Sequence, residues 1–218
     1  MIRYVATLLF AFSAVALGAS GNISKVNSSI RVDDGGQAGD VSTVNGSITI
    51  GRNASVREVD TVNGSIRLDE RARAESVETV NGGVTLGEGV LVSEDVSAVN
   101  GKLTVRRGAR VGGRLENVNG EFLLEGATVR RGIETVNGDI VVGAGSRVDG
   151  GVTVEDSHSW KWRAKSRNPR LTIESGAVVK GPLRFEREVD LYLGDGAVIG
   201  PVEGVEPRRY TIGVADAG

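Results

Sequence analysis

The side chains that could do chemistry in this protein are gathered in one short segment. Between Glu155 and Arg167 lie His158, Trp160, Lys161, Trp162, Arg163 and Lys165, with Arg170 just beyond. They include the single histidine and both tryptophans of the 218 residues. Tryptophan offers a flat face to a sugar ring or a cation, and the lysines and arginines beside it attract an anionic polymer. The competing role for the two rings is to pack back onto the body of the protein. Nucleophilic catalysis is a weaker reading. Asp156, Ser157 and His158 supply the residue types of a hydrolytic triad, but a triad is defined by geometry and not by adjacency in sequence. One histidine and no cysteine leave no basis for a zinc-type cluster. No glycine-rich phosphate loop stands between a strand and a helix. Trp160, Trp162, Lys161, Arg163 and His158 are therefore the candidate ligand-binding residues. No catalytic residue, metal or cofactor is expected.

The segment interrupts a repeat, and the repeat must position it. Val44-Asn45-Gly46 returns at Val62-Asn63-Gly64, Val80-Asn81-Gly82, Val99-Asn100-Gly101, Val118-Asn119-Gly120 and Val136-Asn137-Gly138, with a looser copy at Val26-Asn27-Ser28. The asparagines thus recur about every 18 residues, and a period that regular marks a repeat architecture. Counted from each valine as zero, apolar residues fall at 0, 4, 6, 12 and 15, with a small or apolar residue often at 10. Apolar pairs two apart indicate strands whose alternate side chains face inward. Asn-Gly suits a corner through its tolerance of positive φ. Three short strands and three corners in about 18 residues predict an all-β fold, one coil per repeat of a triangular parallel β-solenoid. Coils then stack roughly 4.8 Å apart, and a thin core with little room for rings matches an aromatic content of 4%.

Stacking also explains the asparagine column. Amides one above another at the strand spacing can donate to one neighbour and accept from the other. Asn45, Asn63, Asn81, Asn100, Asn119 and Asn137 are thus expected to form a structural ladder. The alternative is that this edge binds a ligand.

Residues 1–19 stand apart. Arg3, an apolar run from Tyr4 to Phe12 and the small residues Ser13, Ala14, Ala16, Gly18 and Ala19 have the order of a secretory signal peptide. An uncleaved anchor is the alternative, although the run is shorter than the roughly 20 residues that span a bilayer. Export makes the expected location periplasmic or cell-envelope associated. Without cysteine, export brings no disulfides. The formal charge of −2 gives no argument for nucleic acid as a partner, and membrane contact stays open. Residues 20–218 then read as one solenoid domain with an insertion at 155–167. The register returns with Leu171, Ile173, Ala177 and Val179 if Arg167 is zero, which assigns Asn168 to the ladder position. The insertion therefore leaves at the Asn-Gly corner. A last coil follows through Leu191, Leu193, Ala197, Ile199 and Val202. Pro201, Pro207 and the charges at Glu203, Glu206, Arg208 and Arg209 suit an edge that pairs no further.

Gly108-Ala109-Arg110-Val111-Gly112-Gly113, Gly176-Ala177-Val178-Val179-Lys180-Gly181 and Gly196-Ala197-Val198-Ile199-Gly200 resemble the repeats of bactofilins, polymer-forming bacterial β-helix proteins. The Val-Asn-Gly strands resemble adhesin-type β-solenoid domains of bacterial envelope proteins. The likeness covers roughly residues 26–205. It implies a right-handed triangular β-helix with a scaffold or adhesive role. The export signal and the tryptophan segment are departures from the bactofilin pattern. The expected function is non-enzymatic: an exported structural or interaction protein. Its expected partner is another copy of itself, in an oligomer or filament, or an envelope polysaccharide or protein. The alternative is a left-handed hexapeptide-repeat acyltransferase-like enzyme, suggested by apolar residues six apart (Val44, Ile50, Val56, Val62), with His158 as its one candidate base.

Overall fold

A computed structural model describes residues 21–156 and 167–212. Strands, turns and bridges make up this part of the chain, and every strand pair is parallel. The strands form three sheets. The first has ten strands, from Ile23–Lys25 to Val202–Gly204. The second also has ten, from Ile30–Val32 to Arg208–Ile212, and the third has seven, from Arg73–Ala74 to Val198–Ile199. Each turn of chain visits the three in order. Partners along a sheet lie one repeat apart over most of the stack, as in Val59↔Val77 and Val77↔Val96. The fold is a three-sided parallel β-solenoid.

Inward positions carry Val, Ile, Leu and Ala, and they merge into one core running the length of the stack. Two rings enter it as well, because Phe122 and Phe185 are fully buried. In the first sheet the alternation differs from the expected one. In Val41–Asn45, Val41 and Thr43 are buried while Val44 is half-buried on the outer side. Side chains alternate strictly along a strand, so an inward Val41 forces Thr43 inward and Val44 outward. The valine of Val-Asn-Gly is therefore not a core residue, and Val26 is 51% exposed. The inward column next to the corner is instead Thr43, Thr61, Thr79, Ala98, Asn117, Thr135, Val154 and Phe185.

A buried hydroxyl is tolerated when it is hydrogen-bonded. Thr43 Oγ1 donates to the carbonyl of Ser28 at 3.0 Å. Thr61 and Thr79 do the same to Gly46 and Gly64 at 3.1 Å, and Asn117 Nδ2 reaches Gly101 O at 2.6 Å. Each ties the end of one side to the corner of the preceding coil.

The corners divide the glycines into two kinds. At the Asn-Gly corner glycine is required for close approach. A Cβ on Gly64 or Gly82 would collide with the carbonyl oxygen of Gly46 or Gly64, and Gly101 is the one Asn-Gly glycine with a positive φ, 156°, close to extended. Gly132, Gly151 and Gly204, on or beside first-sheet strands, have positive φ of 118°, 92° and 89°, but the values nearest the left-handed helical region belong to the corner before the third sheet. Gly35, Asn53, Arg71, Gly89, Gly108, Gly126, Gly145, Gly176 and Gly196 stack there with φ between 56° and 72°. That is the left-handed region that glycine enters without penalty.

The C-terminal end pairs further than the prolines and charges suggest. Arg208–Ile212 adds to the second sheet in register with Asp190–Gly194, and Tyr210 stacks on Tyr192 with ring centroids 4.6 Å apart.

Candidate interaction site

The insertion leaves between the first and second sheets, at the Asn-Gly corner. On the first sheet Ile133 pairs with Val152 after one ordinary repeat, but Val152 pairs with Leu183 only after a repeat lengthened by the insertion. On the second sheet the step from Ile140 to its partner Leu171 is lengthened in the same way. The coils below and above thus meet in register across the interruption. Trp160, Trp162, Lys161, Arg163 and His158 lie outside the described residues.

The base of the segment is held by polar contacts. Arg167 Nη2 is 2.6 Å from Asp139 Oδ2, and Asp139 Oδ1 accepts the Arg170 N–H at 2.9 Å. The hydrogen bond to Asp139 raises Arg167 above the ordinary guanidinium value. On the other strand the Asp156 N–H donates to Glu186 Oε2 at 3.1 Å. Beyond the base, the guanidinium of Arg170 lies 5.0 Å over the Tyr192 ring, a cation–π contact. Leu123, Val141, Thr172, Tyr192 and Tyr210 occupy one outward row of the second sheet. Leu123 and Val141 are half-buried.

The asparagines sit one per coil along the same corner. Each Nδ2 donates to the Oδ1 below it: Asn45 to Asn27 at 2.8 Å, Asn63 to Asn45 at 2.9 Å, Asn81 to Asn63 and Asn100 to Asn81 at 3.0 Å, Asn119 to Asn100 at 3.2 Å and Asn137 to Asn119 at 3.1 Å. The ladder does not continue to Asn168, whose Nδ2 donates to Glu188 Oε2 at 3.3 Å. Its last oxygen, Asn137 Oδ1, accepts from Arg187 Nη1 at 2.7 Å. Phe185 is the rung above Val154, so Arg187 stands at the ladder position two coils above Asn137 and reaches past the coil that carries the insertion. The asparagine side chains remain solvent-exposed.

A further charged feature lies on the outer face of the first sheet. Asp60, Glu78, Ser97, Glu116 and Glu134 follow one another there in register. Burial pushes the Asp60 carboxyl up to about 7, and the charges of Glu78, Glu58 and Asp40 push it the same way. Burial raises Glu78, with Glu58 adding to it, and raises Glu116, with Glu134 and Asp95 adding to it. Glu78, Glu94, Asp95 and Glu116 line a surface depression of about 190 Å³. Among the described residues no group of three or more His, Cys, Asp or Glu is arranged to hold a metal ion. Column reading of the sequence finds this row once the coil length is known, because its members recur with the period of the asparagines. The part played by Arg187 has no such signal. Comparison with known proteins finds no matching family model, no matching curated protein and no matching solved structure.

Proposed function

We propose that this chain is an exported, non-enzymatic scaffold of the bacterial cell envelope. The stack holds segment 155–167 at one corner, where its tryptophans and basic residues engage an envelope polysaccharide or protein. One observation carries this reading. The stack pairs in register through the interruption, Val152 with Leu183 and Ile140 with Leu171, so its regularity does not depend on the extra residues. An extra segment on a regular stack, rich in aromatic and basic side chains, supports a recognition role, since binding residues concentrate on loops carried by rigid scaffolds. Export rests on the composition of residues 1–19, and the absence of enzymatic activity on the scarcity of catalytic groups in the sequence.

The test is Trp160→Ala with Trp162→Ala, assayed for thermal stability and for retention on envelope polysaccharide. Retention lost with an unchanged melting temperature is the expected result. A lower melting temperature with retention unchanged in both proteins refutes the recognition role and assigns the rings to packing.

A further inference from the structure

Six corners carry Asn-Gly. This dipeptide has a chemistry of its own, in which the glycine nitrogen attacks the amide carbon of the preceding side chain, unhindered by a Cβ. In a folded chain the attack is restrained while the glycine N–H is held in a hydrogen bond. It is assisted when the amide oxygen is placed to take up negative charge. The six corners differ in both respects.

At four of them the glycine N–H is donated to the coil above. Gly46 N bonds to Asn63 O at 3.0 Å, Gly64 N to Asn81 O at 3.0 Å, Gly82 N to Asn100 O at 2.9 Å and Gly101 N to Asn119 O at 3.2 Å. The series stops there. Among the described residues neither Gly120 N–H nor Gly138 N–H has an acceptor. At the last corner the strand Gly132–Thr135 ends before its asparagine, whereas Arg114–Asn119 and the strands before it from Val41–Asn45 on include theirs. The buried Thr135 hydroxyl has no hydrogen-bond partner, while Thr43, Thr61 and Thr79 each fasten their corner. Asn137 also differs from the other five in what faces its oxygen. Theirs accept from a neutral amide; Asn137 Oδ1 accepts from the Arg187 guanidinium at 2.7 Å.

We propose that Asn137-Gly138 is a site of spontaneous covalent modification, with Arg187 stabilising the developing oxyanion. The Gly138 nitrogen gives its proton to solvent and bonds to Asn137 Cγ. The carbonyl electron pair moves onto Oδ1, opposite the guanidinium, where a preorganised cation lowers the barrier. The Cγ–Nδ2 bond then breaks, Nδ2 takes up a proton and leaves as ammonia, and a succinimide remains. Water adds to either ring carbonyl and gives isoaspartate or aspartate. One water is consumed and one ammonia released. In the aspartate product the new carboxylate keeps the Oδ1 that faces Arg187, and in both products the rung to Asn119 loses its donor. With aspartate, a neutral ladder end becomes an ion pair at the base of the inserted segment. Asn119 shares the free glycine N–H but has no cation, so it ranks second.

The full-length folded chain, held in mildly alkaline buffer, tests this by site-resolved peptide mass spectrometry, with enzymatic methylation to detect isoaspartate. Asn137 converts first, more than about tenfold ahead of Asn81, of which about tenfold is the restraint of one hydrogen bond on the nucleophile and the rest is the guanidinium. Asn119 falls between them, and in denaturant the six sites converge. Equal conversion at all six corners of the folded chain, or conversion led by Asn63, Asn81 or Asn100, overturns the proposal. Arg187→Met tests the oxyanion role and lowers the Asn137 rate toward that of Asn119. Hydrogen exchange at the Asn137 N–H, which donates to Val118 O at 2.9 Å, checks that the corner stays closed in that variant. An unchanged Asn137 rate behind a closed corner removes Arg187 from the reaction. The wild-type order of sites decides the location whatever the variant does.

Discussion

Asp60→Asn is expected to make the protein more stable at neutral and alkaline pH. Asp60 stands on the outer face of the first sheet, in register between Ser42 and Glu78, and its carboxyl is pushed up to about 7 from 3.8, first by burial and then by Glu78, Glu58 and Asp40. A carboxyl with a raised folded-state value binds its proton more tightly folded than unfolded. Its contribution is fully present below the unfolded value of 3.8 and is lost as pH rises through about 7. Each pH unit in that window is worth about 1.4 kcal/mol, so ionisation of Asp60 destabilises the fold by up to about 4 kcal/mol at pH 8. Glu78 and Glu116 are raised too and act with the same sign. The asparagine variant keeps the shape and removes the charge. Denaturant titrations at steps from pH 4 to pH 9 should show the wild-type free energy falling with pH. The variant should fall less steeply and lead by about 2–4 kcal/mol above pH 8. Parallel profiles, or a variant less stable than wild type at pH 8, would refute the argument that burial and stacked carboxylates strain this face.

The other corners and columns give predictions of known sign. Thr61→Val removes the bond to Gly46 O and should cost about 1–2 kcal/mol in denaturant titration, whereas Thr135→Val removes an unpartnered buried hydroxyl and should be neutral or stabilising. Asn81→Ala breaks two exposed rungs and should cost about 1 kcal/mol, against about half that for Asn27→Ala, which breaks one. Gly64→Ala drives a methyl into the carbonyl of Gly46 and should lower the melting temperature sharply, with a loss of about 3 kcal/mol or more. Arg71→Gly should raise stability by about 1 kcal/mol, because Arg71 holds φ 57° in a column that is otherwise glycine but for Asn53.

The period made the architecture readable. A short, regular repeat with apolar pairs two apart fixes coil, sheets and corners together, since no single coil can bury its own pairs. What the period hid was parity. Val44 and its copies are apolar and conspicuous, so they read as core, but they lie an odd number of positions after an inward valine (Val41 before Val44, Val59 before Val62). Strict alternation then sends them outward and sends Thr43 and Thr61 inward. Nothing in the sequence marks these threonines as inward, because their hydrogen bonds to the preceding corner are a tertiary fact. The left-handed corner was masked in a similar way. Asn53 and Arg71 interrupt the run of glycines, and that position can be read only after the coils are aligned.

The end of the ladder shows where a periodic reading loses its footing. Counting back from Leu171 puts Asn168 at the ladder position by register, and the count is correct for the strand that follows. The corner, however, is made by two strands. The outgoing one ends at Val154, in the column of Thr135, so the coil reaches the corner at Asp156 and leaves it only near Asn168. With the insertion between them, neither residue supplies the next amide rung above Asn137. The vacancy is filled by a longer side chain. Arg187, in the column one full coil further on, spans the gap to Asn137 Oδ1 and the Val136 carbonyl, at 2.7 and 3.4 Å. An amide cannot cross two coil spacings of roughly 4.8 Å each, and an extended arginine can. The arginine at the first regular corner after the insertion thus reaches where an asparagine at the same position could not. It ties the coils on either side together at the edge where the chain departs from them.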